Sequence, residues 1–200
     1  MSSEMFPVAA GDTNDVINPD DMIQAGQSVS RAGTNYLKFT KTAQWIFGMD
    51  NDEVDADEVL AVNPASFTAG WQGWNNGMPV EGPTVPYSQR SSLPAEADLD
   101  PLPSGDMNGW SPQLGVTLQS FDDGTVLQFN STSDGGKKAI LKLMGEVGLA
   151  YKSHPEAIIA MVKLEKDSYK HPSFGMINKP VFKVVGWADK DGKEVKKLAA

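Results

Sequence analysis

The chain contains no cysteine, so disulfide frameworks, cysteine-ligated zinc, iron–sulfur ligation and thiol nucleophiles are excluded together, and a reducing compartment is its natural setting. Histidine is nearly as scarce. The two that occur, His154 and His171, have no partner at metal-ligand spacing. No Gly-x-Ser-x-Gly elbow is present, and the serines cluster in linker-like stretches, which argues against a hydrolase. Long apolar runs are missing too: stretches such as Ala157 to Val162 fall far short of the ~20 residues that span a bilayer. Met1 to Asp21 has neither a basic n-region nor an apolar h-region, so no secretory signal is expected and the location expected is the cytoplasm. Basic charge is in short supply, 17 residues against 26 acidic ones for a net charge of -9.

The basic charge present is unevenly placed. Residues 1–106 hold 16 acidic and 4 basic side chains, whereas residues 107–200 hold 10 acidic and 13 basic ones. Such asymmetry points to a polyanion-binding surface in the C-terminal half and to a solvating or self-screening N-terminal half. A uniformly solubilising acidic excess would give the same totals. Two hundred residues suffice for one sizeable domain.

Tyr36 to Thr40 and Gln44 to Gly48 are β-branched and aromatic runs split by a few polar residues, a hairpin signal. Val59 to Val62 and Phe67 to Trp74 are further strand candidates. Between them, Asp50 to Glu58 is dense in carboxylates but lacks the glycine and glutamate that a calcium loop requires at its sixth and twelfth positions. Residues 77–112 carry seven of the thirteen prolines and are expected to form a long Pro/Gly-rich loop, since proline removes a ladder donor and restrains its predecessor. Alternation returns in Leu114 to Phe121 and Thr125 to Asn130, flanking the turn Asp122-Asp123-Gly124. Ser131 to Asp134 offers N-caps for a helix in which Ala139, Ile140, Leu143, Met144, Val147 and Ala150 recur at helical spacing. Ile158 to Leu164 and Val181 to Trp187 complete the pattern. The expected fold is mainly β, a β-rich α+β domain. Its order suits an OB-like antiparallel barrel with one helix between the third and fourth strands, although a plain antiparallel sheet with one covering helix would produce the same pattern. Residues 1–32 are expected to be a flexible arm, 33–188 the single domain, and 189–200 a basic tail.

Two motifs suggest a ligand. Ser133-Asp134-Gly135-Gly136-Lys137-Lys138 places two glycines and two cations at a helix start, where amides and dipole favour phosphate. It lacks the Walker spacing, and a capped helix with solvated lysines explains it equally well. The second motif, Lys166 to Gly175, is expected to be the loop between the last two strands. There Lys166, Tyr169, Lys170, His171 and Phe174 interleave rings with cations as single-stranded nucleic acid requires, unless the rings pack inward. Trp74, three residues after Trp71, is a third candidate for stacking, with one of the two tryptophans expected in the core.

The segments YLKFTKTAQWIFG (36–48), AVNPASFTAGWQGW (61–74), STSDGGKKA (131–139) and DSYKHPSFGMINKPVFKVVGW (167–187) resemble a family of small tailed-bacteriophage proteins associated with replication and recombination and grouped with phage single-stranded DNA-binding proteins. The resemblance covers residues 33–188. It implies single-stranded DNA as the partner, host-cell cytoplasm as the location, no cofactor and no catalysis, with Lys137, Lys138, Tyr169 and Lys170 as contacts. Homo-oligomerisation and phage or host replication proteins are left open as further partners. Bacterial single-strand binders end in an acidic tail, whereas this chain ends Lys193 to Ala200 with a basic run. The alternative is a protein-interaction module, an inhibitor or DNA mimic acting on a host or defence enzyme.

Overall fold

Short alternating segments closed by tight turns give a sheet-dominated architecture in the computed structural model, which describes residues 35–102, 109–155, 159–173 and 175–195. The expected arm (1–32), the last five residues of the expected tail and Phe174 lie outside the described residues. The strands are β1 (Asn35–Phe39), β2 (Trp45–Phe47), β3 (Asp52–Glu53), β4 (Leu60–Val62), β5 (Thr68–Asn75), β6 (Met78–Pro86), β7 (Ser111–Ser120), β8 (Val126–Ser131), β9 (Ile159–His171), β10 (Gly175–Ala188) and β11 (Glu194–Val195). The α-helix of the described residues, α1 (Asp134–Ser153), lies between β8 and β9, as the spacing of its apolar residues predicts. None of the described helices is long and apolar enough to cross a membrane.

The sheet runs β11-β10-β9-β4-β7-β8-β1-β2-β3 and forks at β7. Residues Leu118 to Ser120 of β7 pair with β4, and Ser111 to Gly115 pair with β5, which carries β6 on its far edge. The fork arises at Pro64–Ser66, a single 3-10 turn capped by the Asn63 side chain. Ser66 Oγ accepts from the Thr117 N–H at 2.8 Å and so mends the ladder where β4 leaves it.

This architecture corrects the barrel expectation. The sheet is open and mixed, because β1 pairs parallel with β8. Its two ends curl toward each other but meet through side chains. Trp45 of β2 is buried, and its Nε1–H donates to the Glu165 carbonyl of β9 at 2.9 Å. Its ring packs on Phe39, Phe129 and Phe182 at centroid distances of 5.1, 5.2 and 5.5 Å. The indole therefore takes a carbonyl that a closing strand would need, and its bulk keeps β2 apart from β9. The core behind it joins Leu60, Val62, Leu118, Val162 and Phe182 to Ile140, Leu143 and Val147 of α1.

Residues 77–112 are not one loop. Asn76-Gly77, both at positive φ, turns the chain between β5 and β6, the backbone combination that two-residue hairpins favour. Strand β6 tolerates Pro79, Pro83 and Pro86 because it is an edge strand, with β5 as its only ladder partner among the described residues. Beyond it the chain folds back and is tied by two indoles, Trp71 donating to the Pro94 carbonyl at 3.1 Å and Trp110 to that of Asp100 at 2.9 Å.

Candidate nucleic-acid interface

Strands β9 and β10 pair from Ile159–Ala188 out to His171–Gly175, but only Ala160 to Val162 of β9 also pair with β4. The remainder projects as a two-stranded arm. Burial ends along it: Leu164 and Phe182 are in the core, whereas Lys166 to Lys170 are all exposed. Lys166, Tyr169, Lys170 and His171 thus lie in a strand rather than in the expected loop. The cause is legible in the pattern. Apolar alternation stops at Leu164, yet the two strands keep pairing with each other without a core beneath them.

Strand geometry divides these residues. Opposed positions share a face and neighbours alternate. One face carries Asp167 opposite Lys179, Tyr169 opposite Ile177, and His171 opposite Gly175. The other carries Lys166 opposite Pro180, Ser168 opposite Asn178, and Lys170 opposite Met176. Tyr169 and Lys170 therefore do not present to one surface. On the tyrosine face Lys179 pairs with Asp167 at 2.8 Å, and the hydrogen bond from Lys179, with that from the Ser168 N–H, holds the Asp167 carboxyl below its usual range. Further down, Lys183 pairs with Glu165 at 2.7 Å. His171 Nδ1 accepts from the Ser173 N–H at 3.1 Å and so belongs to the turn.

The lysine face leans toward the rest of the molecule. Asn178 Nδ2 makes a long 3.5 Å hydrogen bond to the Lys41 carbonyl in the β1–β2 turn. Pro180 borders a shallow cleft of about 190 Å3 together with Leu37, Lys38, Phe39, Phe129, Ser131 and Ser133. At the same place α1 begins. Ser133 Oγ accepts from the Gly136 N–H at 3.1 Å, and a Cβ on Gly135 would lie 3.3 Å from Lys179 Cβ. A Cβ on Gly136 would overlap Ser131 Oγ, so this glycine lets the helix start sit on β8. Lys137 is partly buried and pairs with Asp134 at 3.4 Å, while Lys138 is exposed.

Three elements that touch here each carry lysines: Lys41 in the β1–β2 turn, Lys138 at the helix start, and Lys166 with Lys170 on the arm. These four have no ion-pair partner among the described residues. Lys38 and Lys41 went unremarked in the sequence because they sit in its acidic half. The signal was that two of the four basic residues before position 107 fall within one hairpin. No family model, curated protein or solved structure matches the chain. Its function is therefore argued from this geometry.

Trp74 is not part of the cluster. It lies on β5, opposite Pro79 on the other branch of the fork. The acidic residues gather elsewhere, around a depression of about 340 Å3 lined by Asp55, Asp57, Glu58, Asp122 and Asp123. The hydrogen bond and charge of Lys163 hold Asp57 below the usual carboxylate range, and the Thr125 backbone and hydroxyl do the same for Asp123.

Proposed function

We propose that the protein is a non-catalytic phage single-stranded DNA-binding protein acting in replication or recombination. One observation carries the DNA part: four lysines without an ion-pair partner among the described residues lie on three adjoining elements, one of them a projecting arm whose Tyr169 ring is 46% exposed. Cations without partners are what a phosphate backbone recruits, and an exposed ring offers a base a stacking surface at a point where a duplex offers none. Because Tyr169 and the arm lysines occupy opposite faces, the strand is expected to cross the arm's edge, phosphates on the lysine side and one base on the tyrosine. The phage setting follows from the sequence resemblance alone.

Photo-cross-linking to an iodouracil-substituted oligonucleotide, followed by peptide mapping, tests the site. Adducts are expected in the peptides containing Lys166 to Lys170 and Lys38 to Lys41. Adducts confined to the β5–β6 hairpin around Trp74 would place the interface on the wrong branch.

The carboxylate-lined depression supports a second reading, in which the acidic surface imitates DNA for a protein partner. That reading predicts no oligonucleotide binding at all.

A further inference from the structure

We propose that the cleft between the ends of β1 and β8 is a slot for one nucleobase of the bound strand, stacked on Phe39. The inference rests on the nucleic-acid reading of the adjoining surface and adds a contact that depends on the base rather than on phosphate. The slot is a product of the sheet topology. Parallel pairing of β1 with β8 ends at Leu37–Phe129. Each strand then runs on with its other neighbour, β1 as far as Phe39–Trp45 and β8 as far as Ser131–Leu114. The two strands therefore part, and a cleft of about 190 Å3 opens between their ends, bordered by Pro180 of β10 and by Ser133 at the helix cap.

The lining suits a flat ring with a polar edge. Leu37, Phe39, Phe129 and Pro180 are its apolar members, Ser131 and Ser133 its hydroxyls. Phe39 is half-buried, and its ring rests on that of Trp45 at a centroid distance of 5.1 Å, so the stacking platform is held by the core. Ser131 Oγ and Ser133 Oγ lie 3.0 Å apart, and each also accepts a backbone N–H, from Ser133 and Gly136 respectively. Their mutual hydrogen bond uses one hydroxyl proton and leaves the other to donate to a ring nitrogen or carbonyl. A phosphate gains nothing from apolar walls, because burying its charge there costs hydration. The cleft is smaller than the roughly 300 to 1,000 Å3 of pockets that enclose drug-sized ligands, and so admits one ring system rather than a whole nucleotide.

Its position places it on the path of the strand. Pro180 is opposite Lys166 and shares its face of the arm. The helix start packs at the same point, where a Cβ on Gly135 would lie 3.9 Å from Pro180 Cδ. A strand whose phosphates follow the lysine side passes the mouth of the cleft and can turn one base into it, while Tyr169 takes another across the arm's edge.

Phe39→Leu removes the ring and keeps apolar bulk against Trp45. Its affinity for oligo-dT should fall about fivefold or more, with the salt slope kept at the wild-type value because no phosphate contact is lost. Unchanged affinity, or a loss accompanied by a lower slope, would overturn the slot. The wild-type protein supplies a second measurement that no folding defect can affect. After irradiation with 5-iodouracil-substituted oligo-dT, tandem mass spectrometry should find adducts on Phe39 as well as on Tyr169. Adducts on Tyr169 alone would also overturn the slot. If the wild type binds no oligonucleotide, the DNA reading fails and the slot with it. If it binds with salt-sensitive affinity but neither Phe39 result is found, the slot alone fails.

Discussion

Tyr169 and Lys170 are adjacent in the chain but belong to opposite faces of the arm, and this separates what their removal should do. Tyr169→Ala should weaken oligonucleotide binding by about 1 to 3 kcal/mol through lost stacking while leaving the thermal midpoint unchanged, because the ring is exposed. A lowered midpoint together with unchanged binding would show that the ring serves the arm instead. Two glycines of α1 provide a matched pair for stability. Gly136→Ala meets Ser131 and should destabilise by about 1 to 3 kcal/mol, as overpacking does, whereas Gly145 faces open space and Gly145→Ala should stabilise by up to about 1 kcal/mol. Denaturant midpoints of the two variants check both signs. Asp57, Asp123 and Asp167 all have carboxyls held below their usual range. A depressed folded-state pKa contributes stability above the unfolded-state value and loses it as pH falls through the folded one. These groups should therefore leave stability flat from about pH 5 to 8 and erode it only below about pH 4. Melting curves of Asp167→Asn should show a shallower acid limb than wild type.

The elements that the sequence announces are those with an apolar face to bury. The helix was legible from its spacing and its Ser133 cap, and the hairpins β1–β2 and β7–β8 from their alternation. Strand β6 was obscured by its prolines, although Asn76-Gly77 between two runs was a sufficient signal for the hairpin. The arm was obscured for the opposite reason, since residues 166–171 form a strand with no core face to betray it. Closure through the Trp45 indole involves a partner 120 residues away and leaves no local mark. Of the candidate site, the arm and helix lysines were visible as motifs, whereas Lys41 joins them only through the fold. The segment after β6 gives an element-scale prediction. Being tied by Trp71 and Trp110, residues 78–100 should resist limited thermolysin digestion, and Trp110→Ala should make them cleavable at unchanged global stability. Cutting there first in the wild type would mean that the two indole hydrogen bonds do not hold it.

Across the whole molecule, an overall charge of -9 coexists with lysines that have no ion-pair partner among the described residues, while Asp57, Asp167 and Glu165 are paired with Lys163, Lys179 and Lys183 and several other acids gather around the Asp55–Asp123 depression. Long-range repulsion should then slow DNA association at low salt, while the four lysines set the contacts made on arrival. Each phosphate contact to a single strand contributes about 0.7 to the salt slope. Fluorescence anisotropy of a labelled oligo-dT of about 30 nucleotides, titrated with wild-type protein across a series of salt concentrations, measures the central claim most directly. Four contacts predict a slope of log affinity against log salt near -3, falling by about half when Lys166→Gln and Lys170→Gln are combined. Binding absent at every salt concentration, or a slope indifferent to those two substitutions, would contradict it.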